Sequence, residues 1–416
     1  MRAGAQDVAD GPLAFTVRRV ATAVLAPERW WIAVVAIFAV SRVVTTSLLL
    51  GFASIQGQNA WTGPQPDYFS FAKIWDGHWY YIIALAGYPP ELPLDDAGHV
   101  SENAWAFMPG YPGVVRFVMT LTTLDFAVAG VIVSVAFSLG AALMLYRVMH
   151  LVIPARTALF AVTIFCFAPL SPILQVSYAE SMYLFLLILA LYWLMKRQYW
   201  MLFPVIAVMS LTRPSGLAFA LALGLHVVYR WWVRRREEFP VRQQVAAVSA
   251  TMFSLAMGFA WLLIAAAVTG SISAYTDTEL AWRAPYVGHG ELVPFTAWFQ
   301  AAGFWHAWWD VPQWVLMTLL AVGIVVFFGF LFTRPARRLG VDLRLWVASY
   351  ALYLLAVFFP QSSTFRLLMP MFPLAGALAL PRSVLYRTLL LVVCVVGQWG
   401  WISIAWWVDS YDWTPP

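Results

Sequence analysis

Long apolar blocks dominate this chain, and short polar breaks separate them. A helix needs about 20 mainly apolar residues to cross the hydrocarbon of a bilayer. Blocks at 30–53, 126–149, 155–171, 179–195, 199–212, 214–233, 243–269, 312–333, 345–360, 367–381 and 386–408 predict eleven crossing helices. The expected fold is therefore an all-α, polytopic membrane protein. The block at 199–212 is short and holds Pro204, which predicts a tilt, a kink or a place in a re-entrant pair. Residues 1–29 read as a cytoplasmic segment and 30–416 as one membrane domain, with the first block as an uncleaved anchor.

Two of the polar breaks are long, 54–125 and 270–311, and both are rich in Trp, Tyr, Gly and Pro. No repeat of fixed period runs through the chain. Within the first break, Phe71, Ile74, Trp75, His78, Trp79, Ile82, Leu85 and Ala86 recur at steps of three and four. This predicts one helix through 71–87 lying in the membrane interface. Asp76, Tyr80 and Gly87 fall on another face, turned toward the protein.

Composition and charge agree with this pattern. Aliphatic and aromatic residues make up 62% of the 416 residues and charged residues only 11%, against roughly 25% charged in a soluble domain. In a soluble protein the net charge of +5 would raise the question of nucleic acid. Here the positive-inside rule accounts for it, and no nucleic-acid partner is expected. With the N-terminus in the cytoplasm, Arg18, Arg19, Arg29, Arg147, Arg156, Arg234, Arg235, Arg236, Arg334, Arg337 and Arg338 fall inside. Arg42, Lys73, Arg116, Arg213, Arg283 and Arg366 fall outside or in the outer half of the membrane, with most of the acids. The chemistry is thus expected on the extracytoplasmic face. Cys166 and Cys394 sit in apolar runs and read as packing residues rather than a disulfide.

Asp76 is the first candidate for chemistry, because a carboxylate among tryptophans and tyrosines is costly unless paired or used. It reads either as a paired acid on an anchoring helix or as a catalytic base, with His78 as the alternative base. "AFMPGYPGVVR" at 106–116 reads as a turn, since Pro109 and Pro112 oppose a regular helix and Gly110 permits a tight bend. Ser177 and Glu180 have capping-box spacing; Tyr178 and Glu180 equally suit a polar ligand. Arg213 and Arg366 stand at outer boundaries. A guanidinium there either meets lipid headgroups or binds phosphate through its planar fork, and Arg116 and Arg283 are reserves. Trp75, His78, Tyr80, Tyr111, Tyr178 and Glu180 complete the candidate substrate-binding set. Asp95-Asp96 and the pair Asp277 and Glu279 read as solvated loop charges, so no metal and no cofactor is expected.

These parts suit the transfer of a sugar from a lipid phosphate to a hydroxyl acceptor. Their order also resembles the family of the second mannosyltransferase of GPI-anchor assembly and its bacterial relatives, within the GT-C superfamily. The resemblance rests on Trp75-Asp76, Ile83-Ala84, Gly87-Tyr88, Ala106-Phe107, Pro109 to Pro112, Ser171-Pro172, Ser177 to Ser181, Arg213 to Gly216 and Phe365-Arg366. It covers about 70–220 and a patch near 360–375; the loop 270–311 has no counterpart in it. The resemblance implies a GT-C-like fold and Asp76 as base. It also implies inverting transfer of mannose from a polyprenyl-phosphate donor to a lipid-linked or cell-envelope glycan, at a bacterial plasma membrane and facing outward. Alternatives are transfer of another hexosyl or a pentosyl group, or a flippase for lipid-linked sugars. The latter would favour paired repeats with broken helices near the midplane.

Overall fold

A computed structural model of the chain describes residues 29–408. The expected cytoplasmic segment, with Arg18 and Arg19, lies outside the described residues. Within them the chain is helical, apart from a single β-bridge between Leu94 and Val100. Among the described residues, six helices are long and apolar enough to cross a membrane: Trp30–Ile55, Phe126–His150, Val241–Thr269, Gln313–Phe330, Gly340–Val357 and Val384–Trp406. Shorter apolar helices at Ala155–Phe167, Glu180–Met195 and Tyr199–Ser210 pack among them. The helix Gln313–Phe330 buries none of its residues and presents Leu319, Val322, Val325 and Val326 outward. So apolar a surface requires lipid as its solvent. The protein is a polytopic membrane protein.

Two predicted blocks are not continuous helices. The block at 367–381 breaks into Thr364–Leu367, a 3₁₀ turn at Met369–Met371, and Leu374–Leu378. Pro370 and Pro373 each remove a backbone donor and crowd the preceding turn. The block at 155–171 ends as a helix at Phe167, just before Pro169, and continues as a 3₁₀ turn at Ser171–Gln175.

A helix that stops inside a membrane leaves carbonyls without water to bind them. Here side chains from other helices serve them. Arg42 donates from Nη2 to Cys166 O at 2.8 Å and from Nη1 to Ser171 O at 3.0 Å. Gln398 donates to Phe167 O at 2.9 Å and accepts from Thr45 Oγ1 at 2.8 Å. Arg42, buried in Trp30–Ile55, is thus a structural residue. Elsewhere in the bundle, Gly216–Trp232 packs closely along Val241–Thr269. A Cβ on Gly216 would fall 2.7 Å from Gly258 Cα, so glycine at both positions sets the contact distance.

Candidate active site

The expected helix through 71–87 is two helices, Tyr68–Phe71 and Asp76–Ala86. The break lies at Trp75, whose backbone sits at φ 58°, ψ −127°. Such a conformation costs a non-glycine residue about 1–3 kcal/mol. Packing holds it there. The Trp75 ring lies 5.6 Å from that of Trp61, and its indole donates to Trp406 O at 3.4 Å. The Asp76 amide donates to Tyr178 Oη at 3.0 Å. As a result Asp76 begins a helix, where free amides and the helix dipole favour a negative side chain.

Three other segments converge on it. Arg366, in Thr364–Leu367, places Nη1 at 2.5 Å from Asp76 Oδ2 and Nε at 3.5 Å from Glu180 Oε1. Arg213, between two short helices, places Nη2 at 2.8 Å from the same Glu180 oxygen. The Arg366 guanidinium also lies over the Tyr178 ring, 5.5 Å from its centre. Two carboxylates and two guanidiniums thus form one chain, Asp76–Arg366–Glu180–Arg213, balanced in formal charge. The side chains of Asp76 and Arg213 are each 16% exposed, Arg366 10% and Glu180 4%. The group is shielded, yet Asp76 and both guanidiniums remain partly exposed.

Glu180 does not close a capping box. The helix Glu180–Met195 begins without a side-chain cap, and the Glu180 carboxylate turns to the arginines instead. Ser177 packs against Gly130 rather than capping. The turn expected at Pro109–Pro112 is the start of a helix, Gly110–Thr122. Pro112 fits its first turn, where a missing N–H leaves no bond unmade. Gly110 donates its amide to Leu211 O at 2.7 Å, and a Cβ there would fall 2.7 Å from that oxygen and 2.6 Å from Thr212 Oγ1. The glycine therefore lets two backbones meet just ahead of Arg213. Gly110→Ala is expected to destabilise by about 1–3 kcal/mol and to lower activity by displacing Arg213. A thermal midpoint and a rate, measured in the same detergent, check this; an unchanged pair of values contradicts it.

The remaining candidates are spread around this group. Tyr178 and Tyr80 are fully buried and lie edge-on to each other; Tyr80 also packs on Tyr111. Tyr111 is itself buried and donates to Gly130 O at 2.9 Å. These tyrosines wall the site. His78 packs on Trp61 and Tyr81, and burial followed by nearby Lys73 lowers its pKa. Arg116 stands exposed on Gly110–Thr122, and the ion-pair chain does not include it.

Arg283 donates to Val357 O at 2.6 Å and neighbours Glu279. Glu279, expected as a solvated charge, is instead hemmed in by protein. That burial raises its carboxyl above the ordinary range, against the pull of Arg283 and a hydrogen bond with Tyr275. It also lies in the field of Arg213 and Asp76. Its place two residues after Asp277 on a short helix, Ala274–Ala281, gave no signal of this in sequence. Trp282 follows, set against Trp79 and Phe107, so the second long loop packs on the first beside Asp76. A cavity of about 550 Å³, lined by Tyr286, Gln300, Phe304 and Trp308, lies within the second loop and includes none of the charged group.

The family model of mannosyltransferases (PIG-V) matches residues 67–277, about half of the chain. The chain belongs to this mannosyltransferase family. The protein is a membrane glycosyltransferase, and the matched region holds Asp76, Tyr178, Glu180 and Arg213, with Arg366 beyond it. No curated protein matches the chain.

Proposed function

We propose that this mannosyltransferase moves a mannosyl group from a polyprenyl-phosphate donor to a hydroxyl of a lipid-linked or cell-envelope glycan, with inversion. The observation that carries this reading is the Asp76–Arg366 contact at 2.5 Å, which joins a carboxylate to a phosphate-matching cation in one shielded place. Asp76 takes the proton of the acceptor hydroxyl. The hydroxyl oxygen forms a bond to the anomeric carbon as the bond from that carbon to the phosphate oxygen breaks. The electron pair leaves with the phosphate, whose charge Arg213 and Arg366 hold. General-base help contributes about 10²–10⁴-fold, and fixed cations on the leaving group add to it.

The charge balance of the group adds a coupling. Arg366 spends Nη1 on Asp76 and directs Nε to Glu180, which leaves Nη2 for a donor oxygen. A phosphate drawing on this guanidinium weakens its hold on Asp76. The base is then released when the donor is bound, which disfavours water as a wasteful acceptor. Glu180, shared by both arginines, keeps the two cations apart at a fixed spacing. Glu279 and Trp282 bring the second loop to the acceptor side of the group. Transfer of label from polyprenyl-phosphate mannose into a lipid extract, with GDP-mannose inert, is the expected outcome with purified protein. Efficient use of GDP-mannose and none of the lipid donor would overturn this donor assignment.

We place this site on the extracytoplasmic side of a bacterial plasma membrane, with eleven crossings, the outer loops at 54–125 and 270–311, and basic loops inside. Cysteines replacing the exposed Asp96 and Glu291 are expected to react with an impermeant reagent added to intact cells, and those replacing Arg235 and Arg338 to stay unlabelled. The native Cys166 and Cys394 are buried and need no removal. The reverse pattern would turn the site toward the cytoplasm.

A further inference from the structure

We propose that Asp95, His99 and His289 form a divalent-metal site, suited to Zn²⁺, that clasps the two long loops together. Asp95 and His99 occupy the tip of a tight hairpin closed by the bridge between Leu94 and Val100. The Asp95 amide donates to His99 O at 2.8 Å, and Gly98 turns the chain at φ 83°. Asp95 Oδ1 accepts from the amides of Ala97 and His99 at 3.0 and 2.8 Å. These bonds fix the carboxylate and leave Oδ2 directed at two imidazoles. His99 Nδ1 lies 3.6 Å from Oδ2 and His289 Nε2 lies 3.9 Å from it. His289 arrives from the other loop between Gly288 and Gly290, a setting open enough for close approach.

The chemistry of the donors fits zinc. Two neutral imidazole nitrogens and one carboxylate oxygen are a common zinc set, with a fourth position for water. Bond lengths of about 2.0–2.2 Å place tetrahedral ligands roughly 3.3 Å apart, so the carboxylate–imidazole separations of 3.6 and 3.9 Å must shorten modestly, and all three donor atoms already lie within 4.8 Å of one another. The rings stack at 3.8 Å with 12° between their planes. Binding requires each ring to tilt so that its lone pair points at the ion. Both side chains are exposed, so the tilt meets little packing. Both rings bear on the Asp95 carboxylate, one from each long loop, so a single ion held by all three ties the loops together. The site is separate from the Asp76 group and lends nothing to the displacement. Its effect is to hold the second loop against the first.

The test uses the full chain without a histidine tag, stripped with EDTA and dialysed against Zn²⁺ at micromolar concentration. The expected result is one bound equivalent in the wild type by elemental analysis, a raised thermal midpoint on adding Zn²⁺, and no competition from Mg²⁺. His289→Ala, at an exposed loop position, is expected to weaken Zn²⁺ binding by more than about tenfold and to abolish the thermal shift. Its turnover without added metal should equal that of the stripped wild type. His99→Ala provides a second variant on the other loop. Equal Zn²⁺ binding in the wild type and both variants, or none in the wild type, overturns the proposal. Loss of turnover in His289→Ala with Zn²⁺ binding intact also counts against it.

Discussion

Asp76→Asn is expected to reduce turnover by about 10²-fold or more, while the donor binds as well as before or better. Asparagine is nearly the same size, so it keeps the helix start and the amide bond to Tyr178 Oη. It removes the more exposed of the two carboxylates in the group. The variant also relieves Arg366 of its counter-charge, which is why donor affinity is expected to hold or rise. Turnover is measured with saturating labelled donor and affinity by displacement of a labelled donor analogue. Wild-type turnover would remove Asp76 from the chemistry. A parallel loss of donor affinity would recast it as a residue that only orients Arg366.

Arg366→Gln is expected to lower stability by about 3 kcal/mol and donor affinity together. The side chain bridges Asp76 and Glu180 in a shielded setting, and removing one member of such a pair leaves the others charged without a partner. Arg366→Lys is expected to recover part of the stability but less of the affinity, because an ammonium lacks the planar fork. A double variant, Asp76→Asn with Arg366→Gln, should lose less stability than the two single losses added, by about 1 kcal/mol or more. Thermal unfolding in one detergent supplies all three comparisons. Strict additivity would mean that the contact between Asp76 and Arg366 is not an energetic pair.

What the sequence showed and what it hid follow from the physics of each segment. Long apolar runs such as 126–149 and 243–269 set the helices directly, because lipid admits little else. Where proline falls inside a run, hydropathy misled: 367–381 stays apolar through Pro370 and Pro373, yet its backbone breaks there. The same limit hid the break before Asp76, which depends on Trp75 being held in a strained conformation by Trp61 and Trp406. The individual residues of the charged group, Asp76, Glu180, Arg213 and Arg366, were each visible as an acid or arginine at the membrane's edge. Their mutual pairing was not, since 290 positions separate Asp76 from Arg366. Glu279 looked like a loop acid, because burial from the packing of one loop on another leaves no local pattern. His289 is likewise remote in sequence from Asp95 and His99.

The configuration at the anomeric carbon of the product tests the central claim most directly. If an acceptor hydroxyl activated by Asp76 displaces the lipid phosphate in a single step, the new linkage has the configuration opposite to that of the donor. Nuclear magnetic resonance of the product from purified enzyme, using a donor of defined configuration, reads this without knowledge of the acceptor. Inversion is the predicted result; retention would contradict the account, because a single back-side displacement cannot produce it.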